Sequence, residues 1–221
     1  MIFEYVFRAA FDSAYTTIYA FLCAISFCLV YQVFFLKRVA KQQGVKLSFF
    51  HYLRVYTFLF YLLVVYRITG IGTLWDVGYY DSLIRASEIH LLPFNNIDFD
   101  LPFIVLNIIM TIPLGFLLPL IWSEFRSLKK IAFTGFCLSL IIELSQLLNR
   151  RATTVDDLLM NTLGAVLGCL LFIMLHSLFR PSKPFSPANR SKHWALKHEG
   201  FIYIALSFLG VFLLFNSNGG M

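Results

Sequence analysis

The chain has 221 residues, of which 59% are hydrophobic and 14% charged. A water-soluble domain carries about a quarter charged residues, so a soluble globular fold is excluded and an integral membrane protein is expected. The formal net charge of +6 comes from basic residues in short connections between apolar spans, which makes them topology determinants and excludes a nucleic-acid surface.

Taking about 20 apolar residues as one crossing, the sequence predicts an all-α, polytopic bundle of about six transmembrane helices. They run over roughly 14–36, 47–66, 101–122, 131–148, 158–179 and 201–216. No A-x-A-like site closes the first apolar segment, which therefore reads as an anchor and not a removable signal peptide. The four cysteines, Cys23, Cys28, Cys137 and Cys169, all fall in apolar segments, so packing in reduced form is expected.

Connections alternate in charge. Lys37, Arg38, Lys41 and Lys46 follow the first helix, Arg126, Lys129 and Lys130 the third, and Arg180, Lys183, Arg190, Lys192 and Lys197 the fifth. The positive-inside rule assigns these to the cytoplasm. The connection 67–100 carries Asp76, Asp81, Glu88, Asp98 and Asp100 and belongs outside, as do both termini of a multi-pass chain.

Early in the second helix, His51 and Arg54 lie within reach of the cytoplasmic interface, where Arg can snorkel to water. The long outer loop is too apolar for a disordered linker and has room for a short surface helix ending before Pro93. The third helix holds Asn107, Thr111, Pro113, Gly115 and Pro119. Proline removes a backbone hydrogen bond and bends the axis, which would leave a pocket opening outward.

The densest polar signal is 138–168. Glu143, Gln146 and Arg150 follow the spacing i, i+3, i+7 and share one helical face. A carboxylate within the bilayer costs about 2–3 kcal/mol, so Glu143 should face the interior and find a partner, with Arg150 or Arg151 the obvious candidates. Either Glu143 contacts a ligand or transfers a proton, or it is half of a structural ion pair.

Thr154 with Asp157 approximates a capping box for the fifth helix, although capping does not account for Asp156, Asp157 and Asn161 together. Gly164 and Gly168 form a G-x-x-x-G stripe, the signature of a close helix contact. Contact with the fourth helix would bring Asp157 and Asn161 beside Glu143 and Gln146. His90 in the outer loop and Asn107 end on the same side. The expected site is an outward polar cleft walled by the third, fourth and fifth helices and lidded by the acidic loop. Glu143 and Asp157 are the candidate catalytic residues, and His90, Asn107, Gln146, Arg150, Arg151, Asp156 and Asn161 the candidate ligand contacts. No metal site or cofactor is expected, and no G-x-S-x-G or H-E-x-x-H motif supports simple hydrolysis. The opening would lie at head-group depth, with membrane lipids as partners.

Several separate motifs in order resemble the VanZ-like membrane protein family: HLLPF at 90–94, N-x-x-x-T-I-P-L-G-F at 107–116, E-L-S-Q at 143–146 and R-x-T-T-V-D-D-L-L-M-N-T-L-G-A at 151–165. Ser87 and His90 stand where the family often has Arg and Asn. The resemblance divides the chain into two N-terminal helices with the start of the loop (1–84), a VanZ-like core (85–175), and a cytoplasmic linker with the last helix (176–221). It implies a bacterial plasma-membrane protein associated with resistance to the glycopeptide teicoplanin, with a lipid-linked cell-wall precursor or the glycopeptide itself as partner. The residues leave two other classes open, a small proton-coupled transporter or flippase and a structural partner of an envelope assembly. Whether the chain is an enzyme is left open too.

Overall fold

A computed structural model describes residues 2–79, 89–90, 97–149, 151–179 and 193–216. Within them the chain is a helical membrane bundle. Helix α1 (Ile2–Val30) continues through a π-helical segment (Tyr31–Leu36) into α2 (Lys37–Gln42). After a short turn come α3 (Phe49–Thr69), α4 (Ile97–Ile121), α5 (Leu128–Gln146), α6 (Val155–Phe179), the single turn α7 (Trp194–Lys197) and α8 (Glu199–Leu214). Two-residue strands β1 (Ile89–His90) and β2 (Thr153–Thr154) pair in parallel, with Ile89 opposite Thr153 and His90 opposite Thr154.

Among the described residues four stretches are long and apolar enough to cross a membrane: Ala14–Gln42, Phe49–Asp76, Leu101–Ile121 and Val155–Phe179. The other two predicted crossings differ for identifiable reasons. Lys129, Lys130 and Glu143 all fall within the 19 residues of α5. The 16 residues of α8 reach about 24 Å at 1.5 Å per residue, short of a hydrocarbon core of about 30 Å.

Local chemistry sets the helix ends. Ser48 caps α3 by accepting the His51 N–H at 3.2 Å, and Gly70 ends it at φ 62°, in the left-handed region that glycine enters without strain. The surface helix expected before Pro93 has no counterpart at Ile89–His90, which are strand, and 80–88 lie outside the described residues.

Packing follows the membrane rule that small residues let backbones approach, because lipid supplies no hydrophobic drive between helices. A Cβ on Gly115 would overlap the Ala165 carbonyl, one on Gly164 the Ile108 carbonyl, and one on Gly168 the Ile112 carbonyl. The G-x-x-x-G stripe is therefore a close contact, but with α4 and not with α5. Along this face the α6 backbone packs directly on α4. On the opposite side, Gly210 of α8 meets the Cys23 carbonyl of α1.

Hydrogen bonds define two ends. At one, here the Gly70 end, Arg67 reaches Thr16 and Trp75 Nε1 donates to the Leu213 carbonyl. At the other, the Lys129 end, Trp122, Phe125 and Tyr203 form a buried aromatic cluster around Gly200. His51 and Arg54 belong to this end, where Arg54 is exposed and His51 is not. His51 is buried, and its Nε2 lies 2.8 Å from Glu199 Oε1 of α8.

Candidate functional site

The polar site at the Gly70 end is built on the last turn of α5, whose final carbonyls have no N–H four residues ahead. The Thr153 hydroxyl satisfies one of them, donating to the Glu143 carbonyl at 3.2 Å. The Glu143 side chain is buried, and its Oε2 accepts the Thr154 backbone N–H at 3.0 Å. Strand β2 is thus stitched to α5 through both backbone and side chain of one residue. Because β1 pairs with β2, the backbone of the 89–90 segment is carried to the same place.

Helix α6 starts from the same threonine. Thr154 Oγ1 accepts the Asp157 N–H at 3.0 Å, which is half of the expected capping box. The other half is absent because the Thr154 N–H is already committed to Glu143. The Asp157 carboxylate turns instead to α4 and accepts from Asn107 Nδ2. Asp157 is also the charged group that acts electrostatically on Glu143.

One turn deeper, Asn161 is buried and donates from Nδ2 to Ser139 Oγ at 2.9 Å. Its Oδ1 has no hydrogen-bond partner among the described residues. A buried acceptor left without a donor costs about 1–3 kcal/mol, so this atom marks a place where a donor from outside the chain would be favoured. Asp156 lies in the first turn of α6, where a negative charge complements the helix dipole.

The structure thus brings together Asn107, Glu143, Asp157 and Asn161, and adds Thr153, Thr154 and Ser139. Ser139 precedes Glu143 by four positions, so helical spacing alone could have placed it on the Glu143 face. Among the described residues no group of three His, Cys, Asp or Glu side chains is arranged to hold a metal ion.

Gln146 and Arg151 belong to a second cluster. Gln146 Nε2 and Arg151 NH1 both donate to the Thr69 carbonyl, each at 2.7 Å. Asn149 Nδ2 donates to the Gly70 carbonyl at 2.8 Å, and Ser145 Oγ accepts the Gly72 N–H at 3.2 Å. Gln146, Asn149 and Arg151 thereby cap the C-terminus of α3, where carbonyls are orphaned and a cation is favoured. Of the two arginines expected to pair with Glu143, Arg151 instead caps α3, and the Glu143 carboxylate accepts the Thr154 N–H. Helix α5 ends at Gln146, and the turn that follows carries Arg151 away to the C-terminus of α3. Arg150 lies outside the described residues, and His90 is described by its backbone alone.

The family model described as VanZ/LLP1 matches residues 58–176. The chain belongs to the VanZ/LLP1 family. No curated protein and no solved structure compared with the chain gave a match. The VanZ/LLP1 segment starts within α3, earlier than the core expected at 85, and so includes the Gly70 turn as well as the Glu143 site. Helices α1 and α8 lie outside it, packed on each other through Gly210 and the Tyr19 hydroxyl, which donates to the Leu214 carbonyl at 2.8 Å.

Proposed function

We propose that this VanZ/LLP1 protein sits in a bacterial plasma membrane with its Gly70 end outward and holds a cell-envelope amphiphile against Glu143, Asp157, Asn107 and Asn161. In doing so it lowers the effect of a lipophilic glycopeptide such as teicoplanin. The observation that carries this reading is the burial of Glu143 beside the half-buried Asp157 of the neighbouring helix, with the Asn161 oxygen one turn below unpaired among the described residues. Ionisable side chains are expensive in membrane helices and are retained where a ligand or ion is handled. The alternation of basic and acidic connections supports the orientation.

In this site Glu143 accepts a hydrogen bond or proton from the ligand, Asp157 holds Asn107 in place, and the Asn161 oxygen receives a hydroxyl or amide. The test is teicoplanin susceptibility of a sensitive host expressing the protein or its Glu143→Gln variant at equal membrane levels. Protection by the parent chain alone supports the reading, and equal protection by both removes Glu143 from it.

A second reading, a proton-coupled transporter or flippase, is favoured by a different observation. A buried ionisable pair, His51 with Glu199, stands at the other end of the bundle. Substrate flux in proteoliposomes that ignores an imposed pH gradient would count against it.

A further inference from the structure

Across the Gly70 turn from Glu143 lies a cavity of about 290 Å³ between α1, α3 and α8. Its apolar floor includes Ala20, Leu63 and Val211, and its lining also holds Arg67, Arg151 and Asn149. We infer that this cavity binds the head group of an anionic amphiphile, the acidic group resting on Arg67 and Arg151.

The two arginines are held from different elements. Arg67 donates to Thr16 Oγ1 at 3.3 Å, and its guanidinium carbon lies 5.9 Å from the centroid of the Phe215 ring. The hydrogen bonds of Arg151 to described residues run through NH1, to the carbonyls of Thr69 and Ile68. Guanidinium forks anchored in this way suit a phosphate or carboxylate. Asp76 also lines the cavity, but its Oδ2 is turned onto the N–H and hydroxyl of Thr73 at 2.7 and 3.0 Å. Its single negative charge leaves the lining net positive.

Asn149, also in the lining, is spent on the turn: its Nδ2 donates to the Gly70 carbonyl. A choline head group would add a positive charge beside the two arginines, whereas a phosphate on an uncharged glycerol or sugar head group adds none. The volume lies at the low end for ligand pockets, so the cavity takes the head group and leaves the acyl chains in lipid. Arg151 is fixed by the VanZ/LLP1 segment, whereas α1 and α8 supply the opposite wall from outside it, so those two helices set which head group fits. This inference does not rest on the Glu143 site.

The full-length protein, purified in detergent and stripped of lipid, is titrated with dioleoylphosphatidylglycerol or dioleoylphosphatidylcholine and followed by native mass spectrometry. One phosphatidylglycerol should be retained at concentrations where phosphatidylcholine is not. Arg67→Gln, at an exposed position, and Arg151→Lys, which keeps charge but loses the fork, should each weaken retention about tenfold. Val211→Phe keeps both arginines and should do the same by filling the floor, while Arg54→Gln at the Lys129 end should change nothing. Thermal unfolding in detergent shows that each variant is folded. Equal retention of the two lipids, or retention unaffected in the folded Arg67→Gln and Val211→Phe variants, would overturn the inference. Soluble glycerol phosphate displacing the lipid at equal concentration would overturn its amphiphilic half.

Discussion

The carboxylate of Glu143 holds the backbone N–H of Thr154 at 3.0 Å, the donor that a capping box would have given to Asp157. This exchange releases Asp157 to pair with Asn107 of α4 and ties three helices at one point. It also separates two roles of Glu143, since a neutral amide can accept the same N–H.

Glu143→Ala should therefore cost about 1–3 kcal/mol by leaving the Thr154 N–H unpaired in a buried setting. Glu143→Gln should cost less than half as much. Equilibrium unfolding of the purified variants in mixed detergent micelles measures both, and equal losses would show that the charge, not the acceptor, holds the junction.

Gly70→Ala places a side chain at φ 62°, where its Cβ would stand 2.5 Å from the Arg151 guanidinium carbon. Left-handed strain and displacement of Arg151 together should cost about 1–3 kcal/mol. The midpoint of thermal unfolding should fall, and an unchanged midpoint would mean that Arg151 is not needed to cap α3.

Gly168→Leu directs a branched side chain into the Ile112 carbonyl on the closest helix contact. The loss should be about 1–3 kcal/mol from overpacking, with lower yield of folded protein in membranes. Leu167→Ala, on the exposed face of the same helix, is the control and should leave both unchanged.

His51 and Glu199 are a buried pair, so removing one partner strands the other. Glu199→Ala should cost about 3–5 kcal/mol, whereas the double variant His51→Leu, Glu199→Met should recover most of it. A double-mutant cycle on the unfolding free energy measures the coupling. Additive losses would show that the 2.8 Å contact contributes nothing of its own.

These residues also show where sequence reasoning reaches and where it stops. Apolar length marks helices directly, and the small residues of α6 announce a close contact, because both are local properties of one segment. Periodicity says which face is small but not which neighbour it meets, so the partner of Gly164 became visible only once α4 was in place. The i, i+7 spacing of Glu143 and Arg150 presumes a helical register that ends at Gln146. The pairing of His51 with Glu199 spans 148 positions, and no local pattern encodes it. Asn107, Glu143, Asp157 and Asn161 were legible for a different reason: the cost of a polar group in lipid is paid residue by residue.

The hydrogen bond from Tyr19 to Leu214 crosses 195 positions, and it joins two helices that flank the VanZ/LLP1 segment in sequence but touch in space. A ribosome delivers α1 long before α8, so α1 enters the bilayer with one flank still facing lipid. Closing that flank is a late, high-contact-order step. The order of synthesis therefore makes α8 the latch of the molecule: until it docks, the wall opposite Arg151 does not exist.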